Sequence, residues 1–507
     1  MEDGHLRGER SGEPAGADEI RRRATGGAAL LAARGGLILG LGLVSNIVLA
    51  RLLVPRDFGL VALGSVLLVF GGYLLDGGLG AALIRRPEPP GERTLAAVNG
   101  LQLAATVSLA LLAFAVAVPI GRDALVVATM VVSLPITILR APSVVVLERR
   151  LSYRTMATVD VVEAVVFYAW SIATVALGMG VWGMATGMVV RALTGTTVMV
   201  RRGPIGLVRP RWSWAEVRPL LAFGAKLQVV ALVAIFREQG LNVGIAAIGG
   251  IATLGVWNLA FRVLQVPVML YTTVARVSYP AVSRLIGAGR DPRAAIEQGV
   301  ATITVATAVV LVAMVGFAPA LPALVGQAWE DVPPTLAFAC VALIVNAPVY
   351  VMTVGYLYAV DAVGAVLRSM AAYAVIWLAV GLSLLPALDT PAVGLGWIAG
   401  GVVNAALLAT QTTRRTGASI WTNLLPPATA AAAAGAAGWA IATARDEAVV
   451  DGLLGALGGE VVFVATLAVV GRSMLRDALA LLVETARGTV ARPPEETGEH
   501  RAADASL

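Results

Sequence analysis

Residues 95–119 read LAAVNGLQLAATVSLALLAFAVAVP, a run without a single charged side chain. Wound as an α-helix, it would be roughly 37 Å long, enough to cross a ~30 Å hydrocarbon core. Just before it stand Arg85, Arg86 and Arg93. The same alternation of long apolar run and charged connection repeats along the chain, so this one stretch implies the class of the whole molecule.

Working outward, about fourteen such stretches can be read, each near the ~20 residues a span needs. They lie at about 27–50, 58–84, 95–119, 123–146, 157–178, 181–200, 218–238 and 254–275, then 298–318, 335–358, 367–386, 392–412, 424–443 and 449–471. With the N-terminus inside, about 28 of the 38 Lys and Arg fall in the tails and the even-numbered connections, and about four fall in the odd-numbered ones. Arg149, Arg150 and Arg154 mark one inner connection, and Arg201, Arg202, Arg209, Arg211 and Arg218 another. The outer connections near 178–181, 319–334 and 386–391 carry no Lys or Arg. This positive-inside pattern predicts an all-α polytopic membrane protein of the bacterial-type cytoplasmic membrane, with both termini cytoplasmic.

Composition agrees. The 507 residues are 58% hydrophobic and 14% charged, with mean hydropathy +0.81. A soluble domain is nearer 45–50% apolar and ~25% charged. The net charge of +6 and pI near 9.8 do not point to nucleic acid, because the basic residues flank spans instead of forming one stripe. Cytoplasmic loops facing anionic membrane lipid account for them. His5 and His500 lie in the tails and Cys340 is the sole cysteine, so neither an intramolecular disulfide nor a metal or cofactor site is expected. A Walker A loop fails at Lys226, where Ala225 and Leu220 occupy the glycine positions. No Ser/His/Asp or Cys/His arrangement suggests an enzyme.

The expected organisation is a polar, disordered tail over 1–26, ending in Arg21-Arg22-Arg23, and a first span that is an uncleaved anchor. An N-terminal lobe follows at 27–200, a cytoplasmic linker at 201–217 and a C-terminal lobe at 218–412. Two additional spans occupy 413–471, and a tail with an interfacial helix near 473–488 fills 472–507. A shift of 196 residues lays Asn46 on Asn242, Phe58-Gly59-Leu60 on Leu254-Gly255-Val256, and Leu63 on Leu259. An offset of six helices keeps both copies in the same direction, as expected of two pseudo-symmetric lobes related by an axis along the membrane normal. Pro135, Pro142, Pro267 and Pro348 are expected kink points. Gly36/Gly40, Gly183/Gly187 and Gly396/Gly400 are small-residue pairs of the kind that lets helices approach closely.

Charges deep in a span are costly and normally face a bundle interior or a hydrated cavity. Arg34, Arg140, Arg191, Lys226 and Arg262 are the cationic candidates for lining a cavity that holds an anionic head group, since the guanidinium fork binds phosphate oxygens in pairs. Asp76, Asp160, Glu163 and Glu238 are the candidates for coupling to a proton or sodium gradient. Against these roles, Asp160 and Glu163 lie one helical turn apart within reach of Arg149 or Arg154, and Arg237 and Glu238 are near enough to a span end to snorkel.

Several stretches carry a family resemblance. Leu49–Leu60, read Leu-Ala-Arg-Leu-Leu-Val-Pro-Arg-Asp-Phe-Gly-Leu, resembles the signature between the first two helices of Wzx-type flippases. These belong to the multidrug/oligosaccharidyl-lipid/polysaccharide exporter superfamily. Asp76–Ile84, Leu147–Arg154, Gly255–Pro267 and Ser278–Leu285 are similar to further segments of that family, in the same order. The resemblance runs over about 27–415. Trp257 stands where Tyr is usual, and Arg237-Glu238 where an Asn-Asp-like pair is common. It implies a two-lobed flippase that moves a lipid-linked oligosaccharide from the inner to the outer leaflet by alternating access, with polysaccharide polymerase or glycosyltransferases as candidate partners. A drug or organic-cation antiporter and a peptidoglycan lipid-precursor flippase of the same superfamily are the alternatives. A non-transporting scaffold or a membrane enzyme fits less well.

Overall fold

The apolar runs form helices throughout. The computed structural model describes residues 17–444, 447–476 and 480; it is 88% helical, with no strand among the described residues. In chain order the helices are α1 (Ala17–Leu52), α2 (Pro55–Asp76), α3 (Leu79–Arg85), α4 (Glu92–Ile120), α5 (Arg122–Val131) and α6 (Ser133–Ile138). Then come α7 (Ala141–Arg149), α8 (Tyr153–Thr174), α9 (Val181–Arg202), α10 (Trp214–Ile248), α11 (Ile251–Gly287) and α12 (Arg293–Phe317). The series closes with α13 (Leu321–Val325), α14 (Val332–Ala359), α15 (Val363–Leu388), α16 (Pro391–Thr416), α17 (Ile420–Ala442) and α18 (Ala448–Val470).

Eleven described helices are long and apolar enough to cross a membrane, or twelve when the bent pair Arg122–Ile138 and Ala141–Arg149 counts as one span. The expectation was about fourteen. The expected sixth span is helix α9, whose apolar character is diluted by Arg191 and by Thr186, Thr194, Thr196 and Thr197. The expected seventh is α10, where several side chains lie outside the described residues. α1 starts at Ala17, so residues 17–26, read as tail, continue the first helix. Of the expected interfacial helix, 472–476 is helical and 477–479 and 481–488 lie outside the described residues.

The chain divides into two compact units. The first holds Met1–Gln265, Leu324–Val332 and Leu384–Thr390. Within it α8 packs on α1 and α9, α2 on α5 and α10, and α4 on α5 and α6. The 52° bend falls at Leu139-Arg140, just before Pro142 at the start of α7. Proline there removes a hydrogen bond and clashes with a continuing helix, as expected of a break. Gly183 and Gly187 pack against α8 and the turn after it, through Thr174, Val175, Ser171 and Phe167. Gly36 and Gly40, by contrast, have open space around them and serve no close helix contact.

The most informative packing in this unit joins α2 to α11. A Cβ on Gly59 would overlap the carbonyl oxygen of Ile251, and a Cβ on Gly255 would overlap that of Pro55. Both correspondences have the offset of 196 residues read in the sequence. The contact is reciprocal, each copy presenting the same surface to the other, which is the hallmark of a two-fold relation.

The second unit holds Val266–Ala323, Pro333–Ser383 and Pro391–Leu507. In it α12, α17 and α18 pack together, and Gly316, Gly438, Gly455 and Gly459 bring their backbones close. Gly396 and Gly400 seat α16 against Gly381, Trp377 and Tyr373 of α15. Cys340 is buried here with a free thiol.

Candidate functional site

The motif Leu49–Leu60 makes sense residue by residue. Pro55 begins α2 where no backbone donor is needed, and the Val54 N–H donates to the Asp57 carboxylate at 3.3 Å. The Ala50 carbonyl accepts the Trp329 indole N–H at 2.9 Å. Phe58 is fully buried, with its ring edge-on to Trp329 at 5.0 Å between centroids and the Arg262 guanidinium over it at 5.9 Å. Gly59 permits the approach to α11. This signature therefore clamps α1, α2 and α11 and sets Arg262 in place.

Arg262 also donates to Asn258 Oδ1 and to Asn46 Oδ1, each at 2.8 Å. Asn46 in turn donates to the Gly42 carbonyl at 2.6 Å. Its role was not anticipated from the sequence, although the repeat had paired it with Asn242.

From there a cavity of about 360 Å³ opens among α1, α2, α8, α9 and α11. Arg34, Asp160, Arg191 and Arg262 line it, with Ser65 and Tyr168. Arg34 donates to Asp160 at 2.6 Å, with both side chains about a third exposed (31% and 36%). Behind the wall lies Glu163, 3% exposed, bonded to Arg140 and facing Arg191 Nε at 3.4 Å. Arg140 reaches it because the bend at 139–140 turns that arginine toward α8. Gly195 makes the room: a Cβ there would overlap the Glu163 carboxylate.

The expectation that Asp160 and Glu163 pair with Arg149 or Arg154 is corrected. They sit two to three turns into α8, facing α1 and α9. Arg149 instead donates to the carbonyls of Leu83, Ile84, Arg86 and Pro87, closing the end of α3. Three arginines and one aspartate line the cavity, leaving two net positive charges. The Arg140–Glu163 pair behind it leaves that balance unchanged.

Other expected site residues lie elsewhere. Asp76 accepts from Gln102 Nε2 at 2.9 Å and lines a separate small cavity of about 30 Å³ with Asn99. It also ends α2, where Gly77 and Gly78 take left-handed φ of 58° and 71° and Gly78 abuts the Gly224 backbone. Glu238 is exposed on α10 and does not line the 360 Å³ cavity. The Lys226 and Arg237 side chains lie outside the described residues. Among the described residues no group of three or more His, Cys, Asp or Glu is placed to hold a metal ion.

Comparison with known proteins fits this geometry. The lipopolysaccharide biosynthesis protein WzxC of Escherichia coli (strain K12) is 24% identical over 338 residues, covering 64% of this chain and 67% of that protein. A structure of the lipid II flippase MurJ in an inward closed conformation superposes with TM-score 0.64 at 11% identity, covering 88% of this chain and 100% of the other. An inward-facing multidrug resistance transporter of the MATE family superposes with TM-score 0.53 at 15% identity, over 75% of this chain and 94% of that one. The family model described as polysaccharide biosynthesis protein matches residues 48–334, more than half of the chain. The chain belongs to that polysaccharide biosynthesis family.

Proposed function

We propose that this protein moves a polyprenyl-diphosphate oligosaccharide from the inner to the outer leaflet of the cytoplasmic membrane by alternating access, in surface polysaccharide biosynthesis or export. The observation that carries the reading is the cationic cavity lined by Arg34, Arg191 and Arg262 together with Asp160. A diphosphate bearing a lipid on one side and a sugar on the other has two negative charges, which the two net positive charges of the cavity would neutralise. Guanidinium groups suit it further because each offers paired N–H donors to phosphate oxygens. Ser65 and Tyr168 add hydroxyls for the first sugar, while the polyprenyl chain stays in the bilayer.

The relatives support the reading through their names, one a lipopolysaccharide biosynthesis protein and one a lipid II flippase. The two expected lobes, 27–200 and 218–412, would be the rocking bodies, with both termini cytoplasmic by the distribution of arginine. A cationic drug would be repelled by the same net charge, which makes the antiporter the weaker reading.

The test is binding. Purified protein in detergent is titrated with a short-chain polyprenyl-diphosphate disaccharide, and complex formation is followed by native mass spectrometry. Arg191→Ala or Arg262→Ala is expected to weaken binding at least tenfold, and the uncharged polyprenol to bind neither protein. Equal affinity for the diphosphate and the alcohol would refute the anion site.

A further inference from the structure

Two acids of the first unit that stand deep in spans are tied up in ion pairs, while Asp76 accepts from Gln102 at the end of α2. Asp160 and Glu163 are each held by arginine. The second unit contains an acid of the opposite kind. Glu460 is the thirteenth of the 23 residues of α18. At 1.5 Å per residue it lies about 18 Å from one end of that helix and about 15 Å from the other, too deep for its carboxyl to snorkel to water. Its Oε1 is buried without a hydrogen-bond partner.

Among the described residues, the elements packed against α18 offer it no counter-charge. α18 packs on α17, α12 and the short 3-10 turn Ala318–Ala320. α17 has no ionisable side chain, and the turn has none. On α12 the only charged residues are Arg293 and Glu297 in its first two turns, and they bind each other at 3.1 Å. Glu297 is further occupied by the Ser419 N–H at 2.6 Å. α18 itself carries one other acid, Asp451, near its start, which accepts from the Glu447 N–H at 3.0 Å. The backbone amide of Ala313 on α12 lies beside the carboxyl. In the apolar middle of a span an ionised carboxylate with no cation beside it is costly, and a neutral one is not.

We propose that Glu460 is a proton-binding site at the middle of the membrane, neutral in this conformation, that supplies the coupling proton of transport. Its O–H bond breaks only when water reaches the α12–α17–α18 group, the proton leaving to that water and a carboxylate remaining until it takes up a proton from water on the opposite side. The coupling part rests on the flippase reading above; proton binding does not.

The experiment uses the full chain in liposomes. Dicyclohexylcarbodiimide, which attacks protonated carboxyls in apolar sites, is expected to label the peptide containing Glu460 at neutral pH, with labelling falling as pH rises. Infrared spectra should show a protonated-carboxyl C=O band that Glu460→Gln removes. No label, and no band assignable to Glu460 at neutral pH, would overturn the site whether or not the protein flips lipid. For coupling, wild type should flip faster under a pH gradient, and Glu460→Gln should flip downhill at the ungraded rate while losing that stimulation. Full gradient stimulation in Glu460→Gln would overturn the coupling role even if the carboxyl proved neutral. Labelling and infrared are read on the wild type as well, so they decide the question if the variant does not fold.

Discussion

Glu163 shows what a single buried charge does in this protein. It is nearly inaccessible and serves two arginines, whereas Asp160, one turn away, forms a half-exposed pair with one. Removing one member of a buried pair leaves an uncompensated charge and costs about 3–5 kcal/mol. Breaking an exposed pair costs about 0–1 kcal/mol. Glu163→Gln is therefore expected to lower the melting temperature in detergent markedly, and Asp160→Asn barely, as followed by intrinsic tryptophan fluorescence. Equal shifts would contradict the assignment of Glu163 as the structural anchor. The sequence made all six of Arg34, Arg140, Asp160, Glu163, Arg191 and Arg262 visible as expensive residues. It did not show which pairs form, because Arg34 and Asp160 are 126 residues apart and Arg140 reaches Glu163 only through a helix bend. Nor did it mark Glu460, which lay within a span but was not counted among the costly charges.

At the scale of elements, apolar length and proline placement carried most of the information. The bend before Pro142 stands where expected. Helix ends were less legible: α11 runs over Ile251–Gly287, well past the expected 254–275, because a helix can continue beyond the hydrocarbon into water with its charges exposed. Glycine was harder still. Gly36 and Gly40 have the spacing of a packing motif and pack against nothing, while Gly59 and Gly255, marked by the repeat and by two motif segments, make a backbone-close contact between α2 and α11. Gly59→Ala and Gly255→Ala each force backbone apart and should cost at least about 1–3 kcal/mol, the usual penalty of overpacking. Because both substitutions strain one reciprocal contact, the double variant should lose less than the two single losses combined. A double-mutant cycle on thermal stability measures this, and strict additivity would mean that the two glycines do not share a contact.

The whole molecule combines a fold similar to that of solved membrane transporters with a cationic cavity in its first unit. Alternating hydropathy and charge made the membrane class readable, and five motif segments made the family readable, several of whose residues, such as Pro55, Gly59, Gly78, Arg149 and Gly255, are helix ends or close contacts here. The cavity was readable only as a sign of charge; its walls come from five helices spread between residues 34 and 262. The most direct measurement is flipping in proteoliposomes, using a fluorescent polyprenyl-diphosphate sugar and a membrane-impermeant quencher. Wild type should expose the probe to the quencher at a protein-dependent rate, and Arg262→Ala or Arg191→Ala should slow it at least tenfold in preparations whose fold is checked by circular dichroism. Protein-dependent flipping that is indifferent to both arginines, or none with the diphosphate alongside export of a cationic dye, would contradict the account.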